Sequence, residues 1–478
     1  MMQFTHTAPP PPPLHPNGAH GGSLGLGLFL DVVGAPRAAS SARSWPGTTT
    51  SFLTPASSKI SLGNLNSTSC MEQLLVHCAN AIEANDATLT QQILWVLNNI
   101  APPDGDSNQR LTAAFLCALV ARASRTGACS KAVAAAVVAS AVESAAALHA
   151  HRFTAVELAS FVDLTPWHRF GYTAANAAIV DAAEGFPVLH VVELGTTHCM
   201  QIPTLIDMLA TRAEGPPILR LTVADVASAS TAAATPPPAL DMSYDELGAK
   251  LVNFARSRNV SMDFRVVPTS PADAFSSLVD QLRVQQLVSD GGAEALVVNC
   301  HMLLHAVPDE TAGTVMLGAA QQQAVSLRTM VLKSLRALEP NLVVVAEEDA
   351  DFTAGDVVGR LRAAFNFLWI PYDAVDTFLP KGSEQRRWYE AEVGWKVENV
   401  LAQEGVERVE RQEDRARWGQ RMRGAGFRAV AFGEEAAGEV KAMLNEHAAG
   451  WGMKREDDDL VLTWKGHNVV FASAWAPS

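Results

Sequence analysis

At 478 residues, 48% of them hydrophobic, the chain is long enough to bury a large core and to hold two or three domains. No stretch approaches the ~20 uninterrupted apolar residues of a membrane span, and six scattered cysteines without a C-x-x-C pair argue against a disulfide framework or zinc site and for reduced thiols. The net charge of −14 removes any global attraction for phosphate backbones, so nucleic-acid contact requires a local basic face or a partner.

Residues 1–66 are rich in Pro, Ser, Gly and Thr, include the run Pro9–Pro13, and set one acid (Asp31) against Arg37, Arg43 and Lys59. Such a composition buries too little apolar surface to offset ordering, so a disordered arm is expected; a transit peptide would carry an Arg-rich amphipathic helix. Residues 67–180 read as a helical cap. Met71, Leu74, Leu75, Cys78, Ala79 and Ile82 share one face of a first helix. Ile93, Leu94, Trp95, Leu97 and Ile100 mark a second, ended by Ala101-Pro102-Pro103-Asp104-Gly105, and Leu111, Phe115, Leu116 and Leu119 a third. Short helices with wide apolar faces need helical neighbours, which makes a small bundle the expected packing.

From residue 181 to 478 strands and helices alternate. Strands are expected at 188–194, 218–224, 262–267, 294–300 and 341–347, with helices at 201–213, 243–257, 272–288 and 320–338 between them. That alternation implies an α/β fold with a mostly parallel, doubly wound, Rossmann-like sheet. Leu460–Trp464 and Asn468–Trp475, around Lys465-Gly466-His467, read as an antiparallel hairpin closing the sheet edge. The first strand, Leu189-His190-Val191-Val192-Glu193-Leu194-Gly195, ends in a carboxylate where Rossmann-like proteins hold a nucleotide or S-adenosylmethionine. The glycine-rich turn that close ligand approach requires is absent, since Gly195 is followed by Thr196, Thr197 and His198.

These residues together resemble the plant GRAS family of Scarecrow-like regulators, over about residues 68–477. Leu189-His190-Val191-Val192-Glu193 stands where that family has Val-His-Ile-Ile-Asp, with glutamate for the aspartate, flanked by leucine-rich helical repeats at roughly 71–130 and 243–288. Val298-Asn299-Cys300 resembles the Val-Asn-Cys segment that opens its next region. Asn399-Val400-Leu401-Ala402-Gln403-Glu404-Gly405 with Glu407-Arg408-Val409-Glu410-Arg411 resembles a further landmark, and Ser473-Ala474-Trp475 the terminal Ser-Ala-Trp motif. The Pro-Phe-Tyr-Arg-Glu region is matched only loosely, near Asp351–Gly355, Tyr372 and Arg387–Glu390. The resemblance implies a helical cap on a methyltransferase-like core without catalysis, in a nuclear transcriptional regulator. Its implied partners are DNA-binding transcription factors and other regulators, with homo- or heterodimers and direct DNA contact proposed for some members; no membrane, metal or cofactor is implied.

Two chemical readings stand beside this one. A methyltransferase-like ligand binder would use Glu193, Gly195 and Asp225, the acid that ends the second core strand. Against it, Glu193 is expected to cap the crossover helix or meet an arginine, and His190 to be a hydrogen-bonded core histidine. For DNA, the arginines of 408–428 offer a face. The first half interleaves with acids as a solvated, salt-bridged helix, whereas Arg415, Arg417, Arg421, Arg423 and Arg428 follow the last acid, Asp414. The aromatics Phe365, Phe367, Trp369, Tyr372, Phe378, Trp388, Tyr389 and Trp395 are expected to be mostly core, with some exposed as a protein-binding patch.

Overall fold

The computed structural model describes residues 67–136, 151–226, 238–288, 294–310 and 326–478, so the expected amino-terminal arm lies outside the described residues. Four helices come first: α1 (Thr68–Glu83), α2 (Ala87–Ile100), α3 (Ser107–Ser124) and α4 (Gly127–Ala136). Ser67, Asp86 and Asp106 accept backbone N–H bonds at the starts of α1 to α3, satisfying donors that have no partner within the helix. Strand β1 (Arg152–Phe153), α5 (Ala155–Val162) and α6 (Pro166–Ala182) complete this part.

The alternating part runs β2 (Val188–Gly195), α7 (Ile202–Ala210), β3 (Ile218–Asp225), β4 (Ala239–Leu240), α8 (Tyr244–Ser257) and β5 (Met262–Pro268). It continues through α9 (Ser276–Val288), β6 (Glu294–His301), α10 (Leu327–Arg336) and β7 (Leu342–Glu348). Then come α11 (Val357–Asp376), α12 (Glu384–Ala402), α13 (Arg415–Gly424), β8 (Phe427–Val430) and α14 (Glu434–Leu444), before β9 (Trp451–Glu456), β10 (Asp459–Trp464) and β11 (His467–Pro477).

Nine strands form one sheet in the order β5-β3-β2-β6-β7-β11-β10-β9, with β8 pairing β11. The five strands from β5 to β7 are parallel, and the last three on that path are antiparallel. Successive strands step outward from β2 to β3 and β5, then restart beside β2 with β6 and β7, so the switch point lies between β2 and β6. Both faces of the parallel strands are covered, which is why these strands read as continuous apolar runs. Leu189, Val191, Leu221, Val297 and Val344 face one core with the helical cap and α11. Val192, Leu194, Val298, Cys300, Val343 and Val345 face a second, with α9, α10 and Trp418 of α13.

The structure differs from expectation in three places. The carboxyl-terminal hairpin is present, but β11 sits inside the sheet between β7 and β10, and β9 forms the edge. The cap is not all helix, since β1 pairs with the distant β4, Arg152 with Ala239. Residues 403–414 form a 3-10 turn at Gly405–Glu407 and then extended backbone, not a solvated helix. Arg408, Glu410, Arg411, Gln412 and Glu413 are all buried there; Glu410 lies near Lys396, Arg411 pairs with Asp309, and Glu413 meets Arg328 as well as Arg417 one turn on.

Helix α6 packs close to the sheet because Gly171 lacks a side chain: a Cβ there would lie 2.7 Å from His301 Cε1 and 2.9 Å from Ala346 Cβ. Gly171→Ala should therefore lower stability by roughly 1–3 kcal/mol in urea unfolding, since neither neighbour is a flexible side-chain end. An unchanged midpoint would show that α6 rests less closely on β6 and β7.

Candidate functional site

The sequence places two groups of candidate residues, one at the sheet's switch point and one on α13. At the switch point β2 delivers Glu193 beside Asn299 of β6, with which it is in register. Glu193 is 3% exposed, and its Oε2 accepts from Asn299 Nδ2 at 2.7 Å. The same amide donates to Gln201 Oε1 at 2.9 Å, and Gln201 donates to Asn176 Oδ1 at 2.8 Å. Glu193 thus neither caps α7 nor meets an arginine; a neutral amide chain holds it. Burial, only partly countered by the Asn299 amide, pushes its carboxyl up to about 7.

Helix α6 closes the crevice from above. Its His168, Tyr172 and Asn176 recur every four residues, one face of a helix. His168 Nδ1 meets His301 Nε2 at 3.2 Å, Tyr172 bonds the Thr197 hydroxyl, and Asn176 meets Gln201. Burial pushes His168 down to about 3 and His301 well below its ordinary range, so this pair stays uncharged. The turn after β2 carries His198 and Cys199 at φ 49° and 61° in place of a glycine-rich loop. Gly195 lies against the Glu193 carboxylate, and Asp225 is half-buried at the end of β3. Side chains therefore occupy the space between Glu193 and α6. A nearby cavity, between α6, α12 and the ends of β6 and β7, measures about 70 Å³, far below the ~300 Å³ at which sites for drug-sized ligands begin.

His190 is a hydrogen-bonded strand histidine, with Thr222 Oγ1 and Glu294 Oε1 each 2.9 Å from its ring nitrogens. Val191 and Val192 point to opposite cores, as alternation dictates. Ser473-Ala474-Trp475 lies on β11 between β7 and β8; Trp475 Nε1 donates to Ser473 Oγ at 2.8 Å.

Three of the four arginines of α13 turn to carboxylates of the protein itself. Arg415 reaches Glu456, Asp457 and Asp459 at 2.9–3.3 Å. Arg417 pairs with Asp351 and Glu413, and Arg421 grips Glu413 and Glu310 with four bonds of 2.6–2.9 Å. Only Arg423 and Arg428 of the five are exposed, and the Arg423 guanidinium lies 5.6 Å from the Trp475 ring centre. The sequence reading missed the stripe on α6 and the acids that neutralise α13. Three polar side chains at fourfold spacing in an otherwise Ala-rich helix were the available sign of the first. Of the second, only Glu413, one turn before Arg417, is local; the other acids are distant in sequence.

The chain matches the GRAS domain family over residues 71–476. It is 56% identical to "Scarecrow-like protein 32" of Arabidopsis thaliana over 411 residues, 85% of this chain and 93% of that one. It is 32% identical to "Protein SHORT-ROOT 1" of Oryza sativa subsp. japonica, covering 85% of this chain and 68% of that one. Among solved structures, SCL7 of Oryza sativa matches with a TM-score of 0.62 at 23% identity, covering 85% of this chain and 99% of that one, which shows a shared fold.

Because the Glu193 carboxyl is raised from 4.5 to about 7 on folding, its contribution to stability is complete below about pH 4.5 and is lost as pH rises through 7. Glu193→Gln cannot ionise. The stability difference between variant and parent should shift toward the variant by roughly 2–3 kcal/mol between pH 4.5 and 8 in urea titrations. A pH-independent difference would contradict the buried-carboxyl assignment.

Proposed function

The chain belongs to the GRAS domain family, and from that premise we propose that it is a nuclear transcriptional regulator carried to promoters by DNA-binding partner proteins. The observation that carries this reading is the internal neutralisation of Arg415, Arg417 and Arg421 in a chain of net charge −14. Cations already paired with carboxylates release no counterions from DNA, so they add little to affinity for its backbone. Partner proteins then supply the DNA contact. Protein-binding surface is available on α9, where Val284 is 61% and Leu287 86% exposed. That helix borders a groove of about 830 Å³ lined by Arg220, Asp263, Arg265, Gln285 and Gln286. Trp95 on α2, 56% exposed, offers a second apolar contact for a homo- or heterodimer.

Catalysis is not part of this reading: the crevice that would take S-adenosylmethionine is filled by His168, Tyr172 and Asn176, and Glu193 is bound to the Asn299 amide. No helix among the described residues is long and apolar enough to cross a membrane. A narrower reading, direct DNA contact by Arg423 and Arg428, is favoured by their exposure alone.

In vitro selection of random duplex DNA by the purified full chain separates the two. Expected is no enrichment from folded protein, and recovery of a defined site when nuclear extract is added. Enrichment by the chain alone, lost in Arg423→Ala/Arg428→Ala, would establish direct contact instead. Leu287→Glu should leave the unfolding free energy within ~0.5 kcal/mol of the parent, as surface changes do, while reducing promoter activity in a reporter assay. Unchanged activity would move the partner surface elsewhere.

A further inference from the structure

The cavity beside α6 is chemically unlike the closed crevice at Glu193. Its walls come from α6 (Trp167, His168), the loop after β6 (His305), the end of β7 (Glu348), α12 (Glu392, Trp395, Lys396) and the extended segment at Glu410. Four carboxyls converge here, counting Glu347 behind His305, against two cations, His305 and Lys396. His305 Nδ1 donates to Glu347 at 2.7 Å, and its Nε2 lies 3.7 Å from Glu410. Lys396 Nζ donates to Glu348 Oε1 at 2.5 Å and lies 3.8 Å from Glu410. Trp167 Nε1 donates to that same Glu348 oxygen at 3.0 Å. The other oxygen, Oε2, is buried without a hydrogen-bond partner, although Glu348 is only 2% exposed. Glu392 makes no hydrogen bond among the described residues, and lines the same space.

A buried acceptor of this kind costs about 1–3 kcal/mol unless something donates to it. The missing element is a donor, and the local excess of carboxylates favours a positively charged one. Trp167, Trp395 and Tyr389 also line the space, and aromatic rings attract ammonium groups. Half-buried Thr196, Ala306, Trp395 and Val409 border the space, which limits a ligand to a few heavy atoms at about 70 Å³.

We propose that this cavity binds a small organic ammonium, which donates to Glu348 Oε2 and Glu392 and packs against the surrounding aromatic rings. The charges around Glu392 support this. Burial raises its carboxyl, Lys396 opposes that rise, and Glu348 and Glu410 add to it, leaving it at about 8. Burial and its partners leave the other groups charged: Glu410 is drawn down to about 2 by Lys396 and His305, and His305 is held up at about 10 by Glu347 and Glu410. His168 on α6 stays neutral. Glu392 is thus the group that takes up a proton while the site is empty, and an arriving ammonium displaces that proton to solvent.

The test is calorimetric titration of the full chain with methylammonium chloride near pH 7.5, against potassium chloride at equal ionic strength, repeated in buffers of different ionisation enthalpy. Expected are saturable binding of methylammonium alone, proton release on binding, and a rise in melting temperature. Glu392→Gln should weaken binding about tenfold, the loss of one charge-assisted hydrogen bond, and abolish proton release. Trp395→Leu, which leaves the charges in place, should weaken it about fivefold. The proposal is overturned by an absence of saturable binding, by an equal response to potassium, or by unchanged affinity in both variants once each is shown to be folded.

Discussion

Glu413 is the interaction on which much of the structure depends. Its carboxylate is fully buried, accepts hydrogen bonds from Arg421 at 2.6 Å, and forms ion pairs with Arg328 at 3.1 Å and Arg417 at 3.3 Å. Removing such a charge from water costs several kcal/mol unless partners and hydrogen bonds compensate. Those partners come from α10 and α13, so neither helix can dock without the extended segment between α12 and α13. Arg328 extends the network by donating to the carbonyls of His305, Val307 and Arg411 at 2.7–2.9 Å, and its guanidinium lies 5.3 Å from the Trp418 ring centre. Once α13 is seated, Trp418 and Met422 enter the second core, and β8 follows directly to pair with β11. The terminal Ser-Ala-Trp strand is placed by the same chain of dependence.

The proposed function rests on what this network removes from the surface. Three of the five arginines that read in sequence as a phosphate-binding face, Arg415, Arg417 and Arg421, are bound to carboxylates, and the crevice at the sheet's switch point is occupied by a stripe of cap side chains. On the proposed reading, a Rossmann-like core whose crevice is filled serves as a rigid support. What remains accessible is apolar and mixed-charge surface suited to other proteins, as at Leu287.

The sheet was legible because parallel strands covered on both faces are written as unbroken β-branched runs, and five expected strands lie within a residue or two of β2, β3, β5, β6 and β7. The placement of Glu193 at a strand end was equally legible, since it follows from counting along β2. Its partner was not: Asn299 is 106 residues away, and only the register of β2 with β6 brings it near. Residues 403–414 misled because alternating charges mimic a solvated helix, while burial reverses what the same charges do. The partners of α13 suffered the same limit, for Arg421 meets Glu310 across 111 positions and Arg415 meets Asp459 across 44. Local pattern specifies elements; only the assembled chain shows which charges are free.

The most direct measurement is the unfolding free energy of Glu413→Gln, a substitution that keeps shape and removes one buried charge. If the arginines of α10 and α13 are structural, leaving them unpaired lowers stability by roughly 3–5 kcal/mol. A loss below ~1 kcal/mol, the value of an exposed ion pair, would mean that these arginines do not depend on Glu413. They would then be free to meet an external polyanion, and the internal-neutralisation reading of the protein's function would fail.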